Sequence, residues 1–206
     1  MAINGFADSR FSLVHEAYEK NLSATLDPGS SLCITVEGEV VVNLWSGHMD
    51  IAQQRPWAED TIVNVWSSTK NMTSLCAFIL ADQGELDFNS PVSKYWPEFS
   101  ANGKSEILVS QIMSHSSGLS GWNEPISYKD YYDWGKMVDL LAAQEPLWEP
   151  GSAVGYHSIT VGFLVGEVIK RITGKSLGDF FKEEIADPLN SDFHIGLDPE
   201  EFDRVA

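Results

Sequence analysis

A serine and a lysine three positions apart are the most reactive candidate pair in this sequence. Ser67 follows the run 61–66, which is rich in β-branched and aromatic residues, as a short strand would be. Apolar residues then recur at helical spacing, so the sequence predicts a helix that Ser67 opens and that Gly84 ends. Because positions i and i+3 share a helix face, Lys70 could reach the Ser67 hydroxyl. The pair is therefore a candidate for a lysine-activated nucleophilic serine.

The same serine also has an ordinary structural interpretation. Serine is common at the first position of a helix, where its hydroxyl serves as an N-cap. If Ser67 is instead a nucleophile, the unpaired N–H groups and the positive end of the helix dipole lie beside the oxygen that becomes charged. Its own backbone N–H would then be available to an oxyanion. The tetrapeptide Ser67 to Lys70 does not decide between the two interpretations, and the rest of the chain must.

The hydrophobic pattern predicts the elements around this pair. An amphipathic helix from Phe11 to about Leu26 is followed by a β-hairpin, in which residues 32–36 and 40–45 form the strands. The rest of the chain is loop and helix, and the predicted helices cover residues 107–113, 131–143, 159–172 and 177–185. Two strands are too few for a stable sheet, so the sheet is expected to be incomplete.

Composition limits the classes of partner. The chain has 206 residues, a formal net charge of −17 and 43% hydrophobic residues, which is enough to build a core. The negative charge disfavours nucleic acid and anionic membranes, because both require a cationic surface. We find no signal peptide and no apolar run long enough for a membrane span, and we therefore expect a cytoplasmic protein. Cys33 and Cys76 are expected to be buried, reduced thiols.

Two later stretches also have unusual composition. Residues 114–119 read Ser-His-Ser-Ser-Gly-Leu, and His115, taken alone, is interpreted as a structural hydrogen-bonding residue rather than a base. Residues 150–158 form a glycine-rich loop before the helix predicted from residue 159, and Tyr156 in that loop could pack in the core or point its phenol into a cleft.

Four spaced motifs together resemble the serine β-lactamase-like superfamily, in particular its class C-type branch with the family VIII carboxylesterases and the D,D-peptidases. The motifs are Ser67-Ser68-Thr69-Lys70, the turn at residues 84–87, residues 114–119, and Pro150-Gly151 followed by Tyr156-His157-Ser158. The resemblance covers residues from about 30 to 190. It implies an α/β (α+β) fold with an antiparallel sheet flanked by helices and a mostly helical region.

The resemblance also implies roles for individual residues. Ser67 would be the acylated nucleophile, with Lys70 and Tyr156 as the shared base and proton relay. Ser158 stands where the Tyr-x-Asn motif of the family has Asn, a departure more typical of the esterases than of class C β-lactamases. His157, a bystander within that motif, and Trp122 join Ser158 as candidates for contact with the substrate.

One family motif has no match in this chain. Relatives carry a Lys-Thr-Gly-like element on a late strand that supplies the second oxyanion N–H, and no such element is found here. We therefore expect residues 1–206 to be the N-terminal part of one catalytic unit, with residues 1–66 in its α/β part and 67–190 in its helical part. A complementary C-terminal segment or a second chain is the expected partner.

The function predicted from these observations is hydrolysis of short esters through an acyl-enzyme. The alternatives are a β-lactamase, D,D-peptidase, amidase or acyltransferase on the same scaffold, or a binding protein without catalysis. The sequence contains no nucleotide-binding glycine motif, and its five histidines are not spaced as metal ligands are. Neither a cofactor nor a metal is therefore expected. The substrate is expected to be a small ester or amide.

Overall fold

The structure is a computed structural model that describes residues 2–24 and 27–206. These residues form two compact units, the first built from the chain up to Asn64 together with Leu197–Ala206, the second from Val65–Gly196. Every residue that the sequence singles out for the site belongs to the second unit. The predicted division at residues 66 and 67 stays a prediction.

The first unit contains a small antiparallel sheet. Its strands are β1 (Ile3–Ala7), β2 (Gly29–Val36) and β3 (Glu39–Gly47), and β3 lies between the other two. The predicted hairpin is confirmed, and it turns at Glu37 and Gly38, whose φ angles of 53° and 87° match a type I′ turn. Ile34 pairs with Val42 just before an irregularity in the register.

A helix covers one face of this sheet. Helix α1 (Ser12–Ala24) packs Tyr18 and Leu22 against Val42 and Leu44 of β3. The alternation along β3 puts these side chains on one face, so the face is buried as a group. The helix was predicted to reach about Leu26, a position outside the described residues.

One strand was missed and one predicted strand is absent. Strand β1 was not predicted, because its short sequence contains Gly5 and lacks a strong apolar alternation. The predicted strand at 61–66 is absent: Ile62 makes one isolated bridge to Val205, and Trp66 already belongs to a 3₁₀ turn. β-branched residues favour a strand only when a neighbouring strand is present to pair with them.

The second unit is built from helices and connecting loops. Its main helices are α2 (Thr69–Asp82), α3 (Val109–Met113), α4 (Trp134–Ala143), α5 (Thr160–Thr173) and α6 (Leu177–Phe181). A π-helical turn (Lys182–Ala186) and α7 (Asp187–Leu189) continue α6, and 3₁₀ turns cover Trp66–Ser68, Val92–Lys94, Pro97–Ser100 and Asp130–Tyr132. All four helices predicted after residue 100 are confirmed, with α4 beginning later because the Asp133 carboxylate caps it at Lys136 N.

Helix α5 is the centre of this unit. Its buried residues include Leu164 and Val168, and it packs against α2, α3, α4 and α6. Each fully buried large apolar side chain contributes about 1.5–3 kcal/mol to the free energy of unfolding. The buried carboxylate of Glu167 accepts hydrogen bonds from Trp134 Nε1 at 2.6 Å and Arg171 Nε at 2.7 Å, which offset the cost of its burial.

The two cysteines have different surroundings. Both are free thiols, and Cys76 is buried in the core of the second unit as expected. The expectation of burial is wrong for Cys33, because the alternation of β2 places it with Ser31 and Thr35 on the exposed face. Burial raises the pKa of the Cys76 thiol to about 11.

Across the described residues, no helix combines the length and the apolar composition required to cross a membrane.

Candidate active site

The structure brings Ser67 and Lys70 together through a tight turn. Ser67 lies in the 3₁₀ turn Trp66–Ser68, so α2 begins two residues later than the sequence predicted. Lys70 Nζ donates a hydrogen bond to Ser67 Oγ at 3.2 Å. Trp66, immediately before the serine, has φ = 48°, a left-handed conformation that bulky residues rarely adopt and that often marks functional sites.

Tyr156 completes a group of three polar side chains. Its phenol oxygen lies 2.7 Å from Ser67 Oγ, and Lys70 Nζ lies 5.1 Å from the centre of its ring. The pKa of Tyr156 is lowered from its ordinary value, first by the hydrogen bond with Ser67 and then by Lys70. A hydroxyl held between an amine and a phenol has two groups that could accept its proton.

A cavity of about 290 Å³ opens beside these residues. Its lining includes Ser67, Lys70 and His115, together with polar residues of α2 and the apolar side chains of Met113, Val161 and Val165. The cavity therefore has a polar rim at the candidate nucleophile and an apolar wall formed by α3 and α5.

His157 supports the site from within the protein. Its side chain is fully buried, and the predicted contact with substrate stays a prediction. The Leu119 N–H donates to Nε2 at 3.2 Å, so Nε2 is unprotonated and Nδ1 carries the hydrogen that it donates to Gly155 O. Burial is the main cause that lowers the pKa of His157, and the imidazole is neutral.

Neither Trp122 nor Ser158 lines the cavity. The Trp122 indole donates to Met137 O at 3.0 Å, and its ring centre lies 5.5 Å from that of Phe163. Trp122 therefore packs against the hydrophobic core. Ser158 is exposed one residue beyond His157. Contact of either residue with substrate stays a prediction.

Two loop segments are tied together beneath Tyr156. Backbone N–H groups of the later segment donate to carbonyls of the earlier one, in the pairs Leu147 to Gly118, Gly151 to Ser116 and Gly155 to His115, at 2.7–3.0 Å. The two stretches that the sequence singled out at 114–119 and 150–158 thus form one supporting structure. Their separation in sequence gave no sign of this pairing.

His115 is the site residue whose position the sequence did not predict. Its imidazole lines the cavity, and its ring centre lies 4.9 Å from that of Tyr156. The isolated histidine suggested a structural role, and the proximity to Tyr156 appears only in the folded chain. In the sequence, the only indication that His115 and Tyr156 lie close together was that both occur in motifs of the same family.

Within residues 2–24 and 27–206, no group of three or more His, Cys, Asp or Glu side chains is placed so that it could hold a metal ion.

Comparison with known proteins gives a consistent result. The family model described as Beta-lactamase matches residues 18–206. The esterase/β-lactamase LipL of Mycobacterium tuberculosis is 37% identical over 95% of this chain and 45% of its own length. Two solved structures each align with the whole chain at a TM-score of 0.95. One is a family VIII carboxylesterase, with 42% identity and 57% of its length covered. The other is a penicillin-binding protein homologue from Caulobacter crescentus, with 38% identity and 56% of its length covered. The chain thus spans about half the length of these relatives.

Proposed function

Because the chain belongs to the β-lactamase family, we propose that it contributes the nucleophile and the base of a serine hydrolase of the carboxylesterase type. The observation that carries the proposal is the position of Ser67 Oγ, 3.2 Å from Lys70 Nζ and 2.7 Å from Tyr156 Oη. The esterase and carboxylesterase names of relatives at 37–42% identity support the same reaction class.

In the proposed reaction, Ser67 Oγ attacks the carbonyl carbon of a short ester. The serine proton passes to Tyr156 or Lys70, and the carbonyl becomes an oxyanion. When the tetrahedral intermediate collapses, the bond from carbon to the alcohol oxygen breaks and the departing alcohol takes up that proton. A water molecule then attacks the acyl-enzyme and gives a proton to the same pair. When this second intermediate collapses, the bond from carbon to Ser67 Oγ breaks, Oγ takes up that proton, and the acid is released.

The oxyanion requires donors in fixed positions. We propose the Ser67 backbone N–H as one donor and a further segment or second chain as the source of the other, since relatives extend over about twice this length. Removing one donor from an oxyanion hole lowers the rate by about 10²–10³. A cytoplasmic location remains part of the proposal, and fractionation of cells that make the protein would test it.

The second candidate activity is cleavage or transfer at an amide or β-lactam bond. The name of LipL includes β-lactamase and one structural neighbour is a penicillin-binding protein homologue, so this class must be compared directly. Ser158, in place of the Asn of the Tyr-x-Asn motif, favours the ester. A panel of nitrophenyl esters, a chromogenic cephalosporin, D-Ala-D-Ala peptides, and an ester with an added alcohol acceptor separates esterase, β-lactamase, D,D-peptidase or amidase, and acyltransferase.

The test of the proposal is covalent labelling. A fluorophosphonate should add once to the purified chain, the adduct should map to Ser67, and hydrolysis of a nitrophenyl ester should disappear in Ser67→Ala. Ser68→Ala is the matched control, because it changes the neighbouring hydroxyl in the same turn. Labelling elsewhere, or full hydrolysis by Ser67→Ala, would remove Ser67 from the mechanism, and a folded chain that neither labels nor hydrolyses would indicate the non-catalytic alternative.

A further inference from the structure

His115 holds the backbone on both sides of Tyr156. Its carbonyl oxygen accepts the N–H of Gly155 at 3.0 Å, and its imidazole Nδ1 accepts the N–H of His157 at 3.1 Å. Gly155 and His157 are the two chain neighbours of Tyr156. One residue therefore fixes the tyrosine from both directions, and its ring also packs against the phenol ring.

The backbone of His115 is shaped for this contact. Its φ of 62° lies in the left-handed region, and in this conformation both its carbonyl and its side chain contact the loop that carries Tyr156. Since a backbone amide can only donate, Nδ1 is unprotonated and the hydrogen is on Nε2. His115 and His157 are thus opposite tautomers of the neutral imidazole.

We propose that neutral His115 is a positioning residue that keeps the Tyr156 phenol against Ser67, and that protonation of His115 releases it. This inference rests on the proposed function, because it assigns His115 a role in the proton transfer from Ser67. It adds a second condition for activity: besides the reacting groups themselves, the loop that carries Tyr156 must be held in place.

The charges around the ring give the expected direction with pH. The groups that face His115 are Lys70 from α2, and Tyr156 and His157 from the loop. Burial, and then the nearby Lys70, lower the pKa of His115, so the neutral form prevails at neutral pH. At lower pH, protonation at Nδ1 turns the acceptor into a donor that opposes the His157 N–H, and activity should fall.

Two substitutions separate the acceptor from the backbone conformation. Asparagine tolerates the left-handed region and its Oδ1 can take the place of Nδ1, whereas glycine tolerates the region and has no acceptor. We expect ester hydrolysis at pH 8 to be faster in His115→Asn than in His115→Gly, because the asparagine supplies the missing acceptor. We expect His115→Gly to lower kcat by about 10- to 100-fold, as misplacement of a catalytic group does, with KM changed by less than about threefold.

The pH profile tests the protonation step. In the wild-type chain, the fall of kcat at low pH should include the protonation of His115. In His115→Asn, that fall should occur at lower pH, or the slope of log kcat against pH should be smaller by one. Equal kcat for wild type and His115→Gly, or an unchanged acid limb in His115→Asn, would overturn the proposal. If His115→Gly does not fold, judged by circular dichroism, the profile of His115→Asn decides alone.

A measurement without substrate separates this inference from the proposed function. ¹⁵N NMR of the histidine rings should show His115 protonated at Nε2 and His157 at Nδ1, with each assigned by loss of its signals in His115→Asn or His157→Asn. An Nδ1–H tautomer at His115 overturns the positioning role even in an active enzyme. Absence of fluorophosphonate labelling with the expected tautomers present would instead count against the proposed function and leave the geometry standing.

Discussion

Tyr156 Oη and Ser67 Oγ lie 2.7 Å apart although 89 positions separate them in the chain. The 3₁₀ turn before α2 brings one oxygen to this point, and the loop held by residues 115–119 brings the other. The first prediction concerns this contact. Tyr156→Phe should lower kcat for a nitrophenyl ester by about 10²–10⁴, the usual contribution of a positioned acid or base, because it removes the oxygen and keeps the ring.

The control for this change is Tyr132→Phe, which alters a tyrosine that is 89% exposed in the same unit. It should leave kcat and KM unchanged. A Tyr156→Phe enzyme with the wild-type rate would assign the proton to Lys70 alone.

The rate should depend on pH through Tyr156. Its pKa lies below the ordinary value of 10.0 because Ser67 and Lys70 stabilise the phenolate. The phenolate is the form that accepts the proton, so kcat/KM should rise as pH rises through the lowered pKa. Lys70→Met removes the cation, should raise that pKa, and should move the rise to higher pH.

Tyrosinate absorbance near 295 nm provides an independent measurement of the same titration. The difference between the wild-type chain and Tyr156→Phe isolates one phenol, and it should titrate at higher pH in the Lys70→Met background. A titration that does not move would show that Lys70 leaves the phenol unaffected.

The buried carboxylate of Glu167 should matter for stability rather than for reaction. Glu167→Ala removes the acceptor of Trp134 and Arg171, and should lower the free energy of unfolding by about 2–3 kcal/mol. The cost lies below that of breaking a fully buried pair, since the Arg171 side chain is 35% exposed and can reach water. Urea unfolding followed by tryptophan fluorescence measures the change.

Glu98→Ala is the comparison for that experiment. Its carboxylate also pairs with Arg171 but is 62% exposed, so water screens the pair and the expected loss is smaller than for Glu167→Ala. Equal losses for the two variants would mean that burial of Glu167 adds nothing.

Gly118 belongs to the loop segments beneath Tyr156, and Gly103 serves as its matched control. Their φ angles are 79° and 81°, but a Cβ at Gly118 would meet Trp148 O at 2.6 Å, while a Cβ at Gly103 would meet nothing within 4 Å. Gly103→Ala should cost about 1–2 kcal/mol of stability from the backbone alone. Gly118→Ala should cost about 1–3 kcal/mol more and should also lower kcat, because the backbone that holds Tyr156 must move.

Thermal unfolding and ester hydrolysis, measured on both variants, give the comparison. A Gly118→Ala enzyme that loses stability and keeps kcat would separate the supporting loop from the position of the phenol.

Local patterns in the sequence were enough to predict the helices of the second unit and the contact between Ser67 and Lys70. Helical periodicity and the i to i+3 spacing depend on residues close in sequence, and the structure retains both. Tyr156 could be placed beside Ser67 only through the family resemblance, since no local rule relates the two.

The features that were missed depend on distant partners. Strand β1 forms because β3 offers a free edge to Ile3–Ala7, and the run 61–66 stays outside any strand because it pairs only at Ile62. The contact from His157 N–H to His115 Nδ1 links residues 42 positions apart, and His115 makes it from a left-handed backbone conformation. Neither requirement leaves a periodic mark in the sequence.

Because only one of the two thiols is exposed, the folded chain can be labelled at a single cysteine. Cys33 faces outward on β2, whereas Cys76 is enclosed in the core with a thiolate that is scarce at neutral pH. A maleimide dye added to the folded chain should therefore attach at one position, with no cysteine to delete beforehand. Unfolding would expose the second thiol, so the number of dyes per chain reports the folded fraction directly.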